Sequence, residues 1–200
     1  MDGLWFYFLM WSSWVFSTFI MDKKNRYRLL ISVISLVTII LSVHSIKVYH
    51  MEISLAAIFL LLVSYCFFIR KNFLTLINVS LKMVIASISI ATFQLLALYD
   101  PVWIVVDLIW LLSIFSSILV LFLFNQYKEQ LTTIIIGMIQ GEIIFALILS
   151  NLNIHYPIAS LAFFDALCIS CFLITVRKVI ISIPAYFDMK NLHLEKEKEL

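Results

Sequence analysis

With 200 residues, 64% of them hydrophobic and only 13% charged, the chain lacks the polar surface of a soluble domain, where about 25% of residues are charged. A formal net charge of +2 is too small for a nucleic-acid-binding surface. The apolar residues come in long blocks parted by short polar breaks, which excludes a soluble enzyme and predicts an all-α, polytopic transmembrane helix bundle with the lipid bilayer as its first partner.

A helix of about 20 apolar residues crosses the hydrocarbon layer, within a usual range of about 17–25. The first such stretch is 4–21. Nothing basic precedes it; Lys23, Lys24, Arg26 and Arg28 follow it, the reverse of a cleavable signal peptide. The first span is therefore expected to be retained, with its N-terminus outside. The second and third spans are 29–46 and 53–69. The fourth, 76–99, has Lys82 near its start, so its beginning is open between residues 73 and 83. Lys82 can snorkel to the side that holds Arg70 and Lys71. Proline disfavours helix at the residue before it, so Asp100-Pro101 reads as a tight turn before the fifth span, 102–124. Spans six and seven are 131–150 and 158–176. Residues 1–183 then form the bundle and 184–200 a polar cytoplasmic tail, whose LEKEKEL run reads as a solvated terminus.

Basic residues orient these seven spans. With the N-terminus outside and the C-terminus inside, every Lys and Arg except Lys47 falls on the cytoplasmic side, as the excess of Lys and Arg in cytoplasmic loops requires. One helix missed or invented would invert every later loop. Trp5, Tyr49, Tyr99, Trp103 and Tyr156 then lie at the outer interface, and Tyr27 and Tyr127 at the inner one. The expected location is the cell membrane, crossed several times. Cys66, Cys168 and Cys171 all lie in apolar runs. The C-x-x-C spacing of Cys168 and Cys171 reads as small apolar packing, because a redox or zinc site needs an accessible thiolate.

Three carboxylates fall inside spans: Asp107, Glu142 and Asp165. At 1.5 Å per residue they lie roughly 8, 12 and 10 Å below the outer end, with Gln94 at roughly 8 Å. An ionised acid near a helix centre costs about 2.5–3.5 kcal/mol on insertion scales. These groups must therefore face the bundle interior, be protonated or bind something positive. No Lys or Arg shares their slab; Lys47 and His44 are nearest. Asp107, Glu142, Asp165 and Gln94 thus form a candidate proton or cation site, and the alternative is a set of interhelical hydrogen bonds. Gly137 and Gly141 make a G-x-x-x-G pair that allows close helix packing. Since the Glu142 direction differs from theirs by about 100° or more, the sixth span is expected near the bundle centre.

All three prolines sit at predicted helix ends, against the broken midplane helices of many secondary transporters. No nucleotide loop, H-E-x-x-H or G-x-S-x-G motif is present. The last span has no lysine for a retinal Schiff base. No cofactor, no metal and no enzymatic activity are expected. Three function classes stay open: a structural, assembly or interaction role, with other membrane proteins or a second copy as partners; proton or cation handling; and a small-ligand-binding membrane subunit.

The opening MDGLWFYFLMWSSWVFSTFIMDKKNRYRL, followed by six further spans, resembles the small YphA-type membrane proteins of Bacillus and relatives. The resemblance covers the whole chain through layout and the aromatic N-terminus. It implies a Gram-positive cytoplasmic membrane, a family without an assigned reaction, and a link to spore-envelope assembly. It carries no site residues.

Overall fold

The computed structural model describes residues 2–25, 27–48, 51–68, 73–104 and 106–198. Arg26, Tyr49, Arg70 and Lys71 lie outside the described residues, and for Trp103 and 183–198 only the backbone is described. The described residues hold seven α-helices. They are α1 (Leu4–Val15), which continues as a π-helical turn over Phe16–Ile20, then α2 (Tyr27–Ser42), α3 (Leu55–Cys66) and α4 (Phe73–Tyr99), followed by α5 (Leu108–Leu123), α6 (Tyr127–Asn151) and α7 (Leu161–Lys198). The all-α expectation holds except for one small hairpin, β1 (Ser45–Val48) paired antiparallel with β2 (Met51–Ser54).

α4 and α6 are long and apolar enough to cross a bilayer by length and composition. α2, α3 and α5 are shorter than the spans expected for them. The second and third spans each lose residues to the hairpin. There Lys47 faces Glu52 across the strands, their charged ends 2.8 Å apart. Hydrogen bonding to the Glu52 carboxylate and its charge raise the Lys47 ammonium above its ordinary range. The hairpin continues into the loop before α7, where the Ile158 N–H donates to the Glu52 carbonyl at 2.8 Å. At the far end of the chain, α7 runs through Pro184 to Lys198, so the boundary expected there is one of composition and not of backbone.

Interhelical contacts fix which helix ends lie together. Arg28, in the first turn of α2, donates to the carbonyls of Ser17 and Thr18 at 3.1 and 2.7 Å. Lys82 in α4 donates to the Leu123 carbonyl at the end of α5 and lies 5.0 Å from the centre of the Phe124 ring. Lys128 opens α6 and reaches the Tyr27 hydroxyl at 2.9 Å. A cation at a helix C-terminus meets unpaired carbonyls and the negative end of the dipole, so Arg28 and Lys82 do structural work at the basic end. The hairpin, the start of α7 and the start of α1 gather at the other end.

α6 touches α3, α4, α5 and α7 and is the central helix. Its glycine face meets α4. A Cβ on Gly137 would sit 3.2 Å from the Ala86 Cβ, and one on Gly141 would sit 3.0 Å from both the Ile90 Cγ2 and the Ser87 carbonyl. α5 and α7 approach through small polar residues instead: the Ser113 hydroxyl lies between the Ile109 carbonyl of its own helix at 2.6 Å and the Ala166 carbonyl of α7 at 3.0 Å, and Ser116 and Ser170 share a hydroxyl pair at 3.0 Å. Large apolar side chains such as Phe19, Leu29 and Phe122 remain 74%, 76% and 86% exposed on the outside of the bundle. Gly141→Leu is expected to pry α4 from α6 and lower the thermal unfolding midpoint in detergent, with a loss of about 1–3 kcal/mol for overpacking. An unchanged midpoint would show that the close approach does not bear on stability.

Candidate functional site: the buried carboxyl groups

The expected cluster of acids divides among three environments. Asp107 lies outside the membrane-length helices altogether. After the Asp100-Pro101 turn, whose Asp100 carboxylate accepts the Val102 N–H at 3.2 Å, residues 101–103 form a short 3-10 turn. The next α-helix then starts only at Leu108, with Asp107 as its exposed N-cap residue. The expected depth of Asp107 inside span five is thus corrected. The Asp107 side chain makes no cap hydrogen bond; a charged carboxylate is costly to bury, so the helix begins after the acid instead of carrying it inward.

Asp165 is buried in the second turn of α7, but its partner is the first helix. Its Oδ2 accepts the Gly3 N–H and its Oδ1 accepts the Phe6 N–H, both at 2.7 Å. Gly3 is the N-cap of α1 and Phe6 its third residue. A capping box meets these two donors with one side chain on the cap and another three residues later. Gly3 has no side chain, so a single carboxyl from a distant helix takes both donors at the positive end of the α1 dipole. Gly3 itself has φ 89°, in the left-handed region, and a Cβ there would lie 3.3 Å from that of Leu161. Phe6 and Phe164 pack beside the tie with ring centres 5.1 Å apart.

Glu142 is fully buried in α6, and here two of the expected residues do meet. Its Oε2 accepts from Gln94 Nε2 at 2.6 Å and its Oε1 accepts from the Tyr156 hydroxyl at 2.8 Å. Gln94 belongs to α4, so this bond crosses the same helix pair that Gly137 and Gly141 draw together. The glycines bring the backbones close enough for an amide on one helix to reach a carboxyl on the other. Tyr156 comes from the loop after α6, which the left-handed Asn153 turns back over the helix end: the Ile154 N–H bonds to Leu149 O and the Asn153 N–H to Ser150 O, both at 3.0 Å. Burial, with the Glu142 carboxyl beside it, raises the Tyr156 phenol above its ordinary range, so it remains a donor. The Oε1 of Gln94 is buried and has no partner among the described residues.

The sequence marked Tyr156 only as an interface aromatic, and the serine pairs of α5 and α7 not at all. The S-x-x-S-S pattern of Ser113, Ser116 and Ser117 is a readable signal for the latter, since small residues three and four apart share one helix face. No signal near Gly3 or Phe6 points to Asp165. Cys168 is buried and Cys171 half-buried, both as free thiols, as is the exposed Cys66.

A family model described as YphA-like integral membrane protein matches residues 2–200 of this chain. The chain is also 32% identical over 154 residues to the protein of Bacillus subtilis (strain 168) named "Uncharacterized protein YphA", covering 76% of this chain and 75% of that one. No solved structure matches.

Asp165→Ala leaves two buried N–H groups unmet, each costing about 1–3 kcal/mol. The variant is expected to melt well below wild type in detergent and to expose α1 to protease first. Loss of stability without early cleavage in α1 would place the role of Asp165 elsewhere.

Proposed function

Since the chain belongs to the YphA-like integral membrane protein family, we propose that it is a non-enzymatic, multi-pass protein with a structural, assembly or interaction role in the cell envelope. All seven helices cross the membrane in this reading. The N-terminus and the hairpin face outward, and the basic end, with the polar C-terminal stretch, faces the cytoplasm. Support comes from the lipid-ready exterior and from the gathering of Arg28, Lys82 and Lys128 at one end. Basic residues at one membrane face are what retains such a bundle in a single orientation.

One observation carries the role. Both carboxyl oxygens of Glu142, and both of Asp165, accept hydrogen bonds from donors of the same chain. These bonds join α6 to α4 and to the outer loop, and α7 to α1, which is the use expected of polar groups that hold helices together in a membrane. Buried polar groups used in this manner favour one packing arrangement, because separating them leaves these carboxyl oxygens and their donors unmet in a medium without water. Partners of such a protein are the bilayer and other membrane proteins or further copies of itself.

Proton or cation handling at Glu142 is the second reading, favoured by the buried, unpartnered Oε1 of Gln94. The two diverge in liposomes. The purified full chain is expected to raise neither proton nor sodium flux above that of empty vesicles, and Glu142→Gln is expected to behave identically. Flux in the wild type that is lost in Glu142→Gln would overturn the structural role and establish the second reading.

A further inference from the structure

At the basic end, the segment between α1 and α2 lines an open cavity of about 570 Å³. Its charged lining is Lys23, Lys24 and Arg28 against the single acid Asp22, so the cavity is net positive. Among the described residues, neither lysine makes an ion pair. Two of the five Arg28 N–H groups are spent on the carbonyls of Ser17 and Thr18. Those bonds cancel the negative end of α1, which would otherwise repel an anion. α2 begins beside the cavity and adds the positive end of its own dipole.

The cavity has an apolar side as well. Phe19 and Ile20 line it and are 74% and 67% exposed on the outer surface of the bundle, where acyl chains would lie. Its wall is the π-helical turn Phe16–Ile20, closed by the bond from the Met21 N–H to Phe16 O at 3.1 Å. π-helical turns are rare and occur frequently at functional sites. This one widens the last turn of the helix, leaving the carbonyls of Ser17 and Thr18 to Arg28.

We propose that this cavity binds the headgroup of an anionic phospholipid, with the phosphate on Lys23, Lys24 and Arg28 and the first acyl carbons along Phe19 and Ile20. Cations beside lipid-facing apolar side chains suit a phosphodiester that is anchored in the membrane, and a soluble phosphate would leave the apolar half of the cavity unused. The proposal is independent of the role assigned above to the buried acids.

The test uses the purified full chain in neutral detergent. Phosphatidylglycerol, phosphatidylcholine and inorganic phosphate are added separately, with retention read by native mass spectrometry and stability by thermal unfolding. Phosphatidylglycerol is expected to be retained and to raise the unfolding midpoint, with phosphatidylcholine and inorganic phosphate each doing neither, and added salt is expected to weaken its retention. In Lys23→Gln/Lys24→Gln, retention is expected to fall about thirtyfold, from the loss of two membrane-facing cations. Both lysines are exposed, so the midpoint without lipid should stay unchanged. Equal retention of phosphatidylcholine, or a double variant that holds phosphatidylglycerol as tightly as wild type, would overturn the proposal. Stabilisation by inorganic phosphate equal to that by phosphatidylglycerol would also overturn it, and would make the cavity a free-phosphate site.

Discussion

In a medium without water, a polar group that finds no partner within its own protein costs several kcal/mol. That constraint accounts for the main contacts between the elements of this bundle. Glu142 is answered by Gln94 and Tyr156, and Asp165 by the first turn of α1. The carbonyls that end α1 and α5 are answered by Arg28 and Lys82. Each of these partners lies on a different element from the group it answers, so each bond also sets how two elements lie against each other.

α6 shows how two kinds of contact cooperate on one helix. Gly137 and Gly141 remove side-chain bulk so that α4 can approach, and one residue later Glu142 bonds Gln94 on that same helix. Close packing without the bond would leave α4 free to slide, because lipid tails are as apolar as the helix surface and give no hydrophobic preference. The bond without close packing would leave the amide out of reach. α5 and α7 reach the same end through serines, whose small hydroxyls permit close approach and bond across the gap.

Helix number and order were legible in the sequence because apolar runs and polar breaks are strong signals, and because Lys and Arg alternate with the helices. Gly137 and Gly141 were legible too, since a missing side chain on an apolar helix has few other uses. Helix ends were less so. Asp107 lies in an unbroken apolar context, and only the local competition between helix entry and burial of a charge places it at the N-cap of α5. The hairpin borrowed residues from two apolar runs that periodicity alone assigns to helix. The partner of Asp165 was not legible at all: backbone N–H groups have no sequence signature, and a glycine at position 3 does not announce which carboxyl will serve it.

The proposed orientation puts the hairpin outside and the segment between α1 and α2 inside. Lys24→Cys and Lys47→Cys, each in a variant lacking the three native cysteines, can be probed in intact cells with a membrane-impermeant thiol reagent. Labelling at position 47 in intact cells, and at position 24 only after permeabilisation, is the predicted result. Labelling of position 24 from the cell exterior would contradict the account.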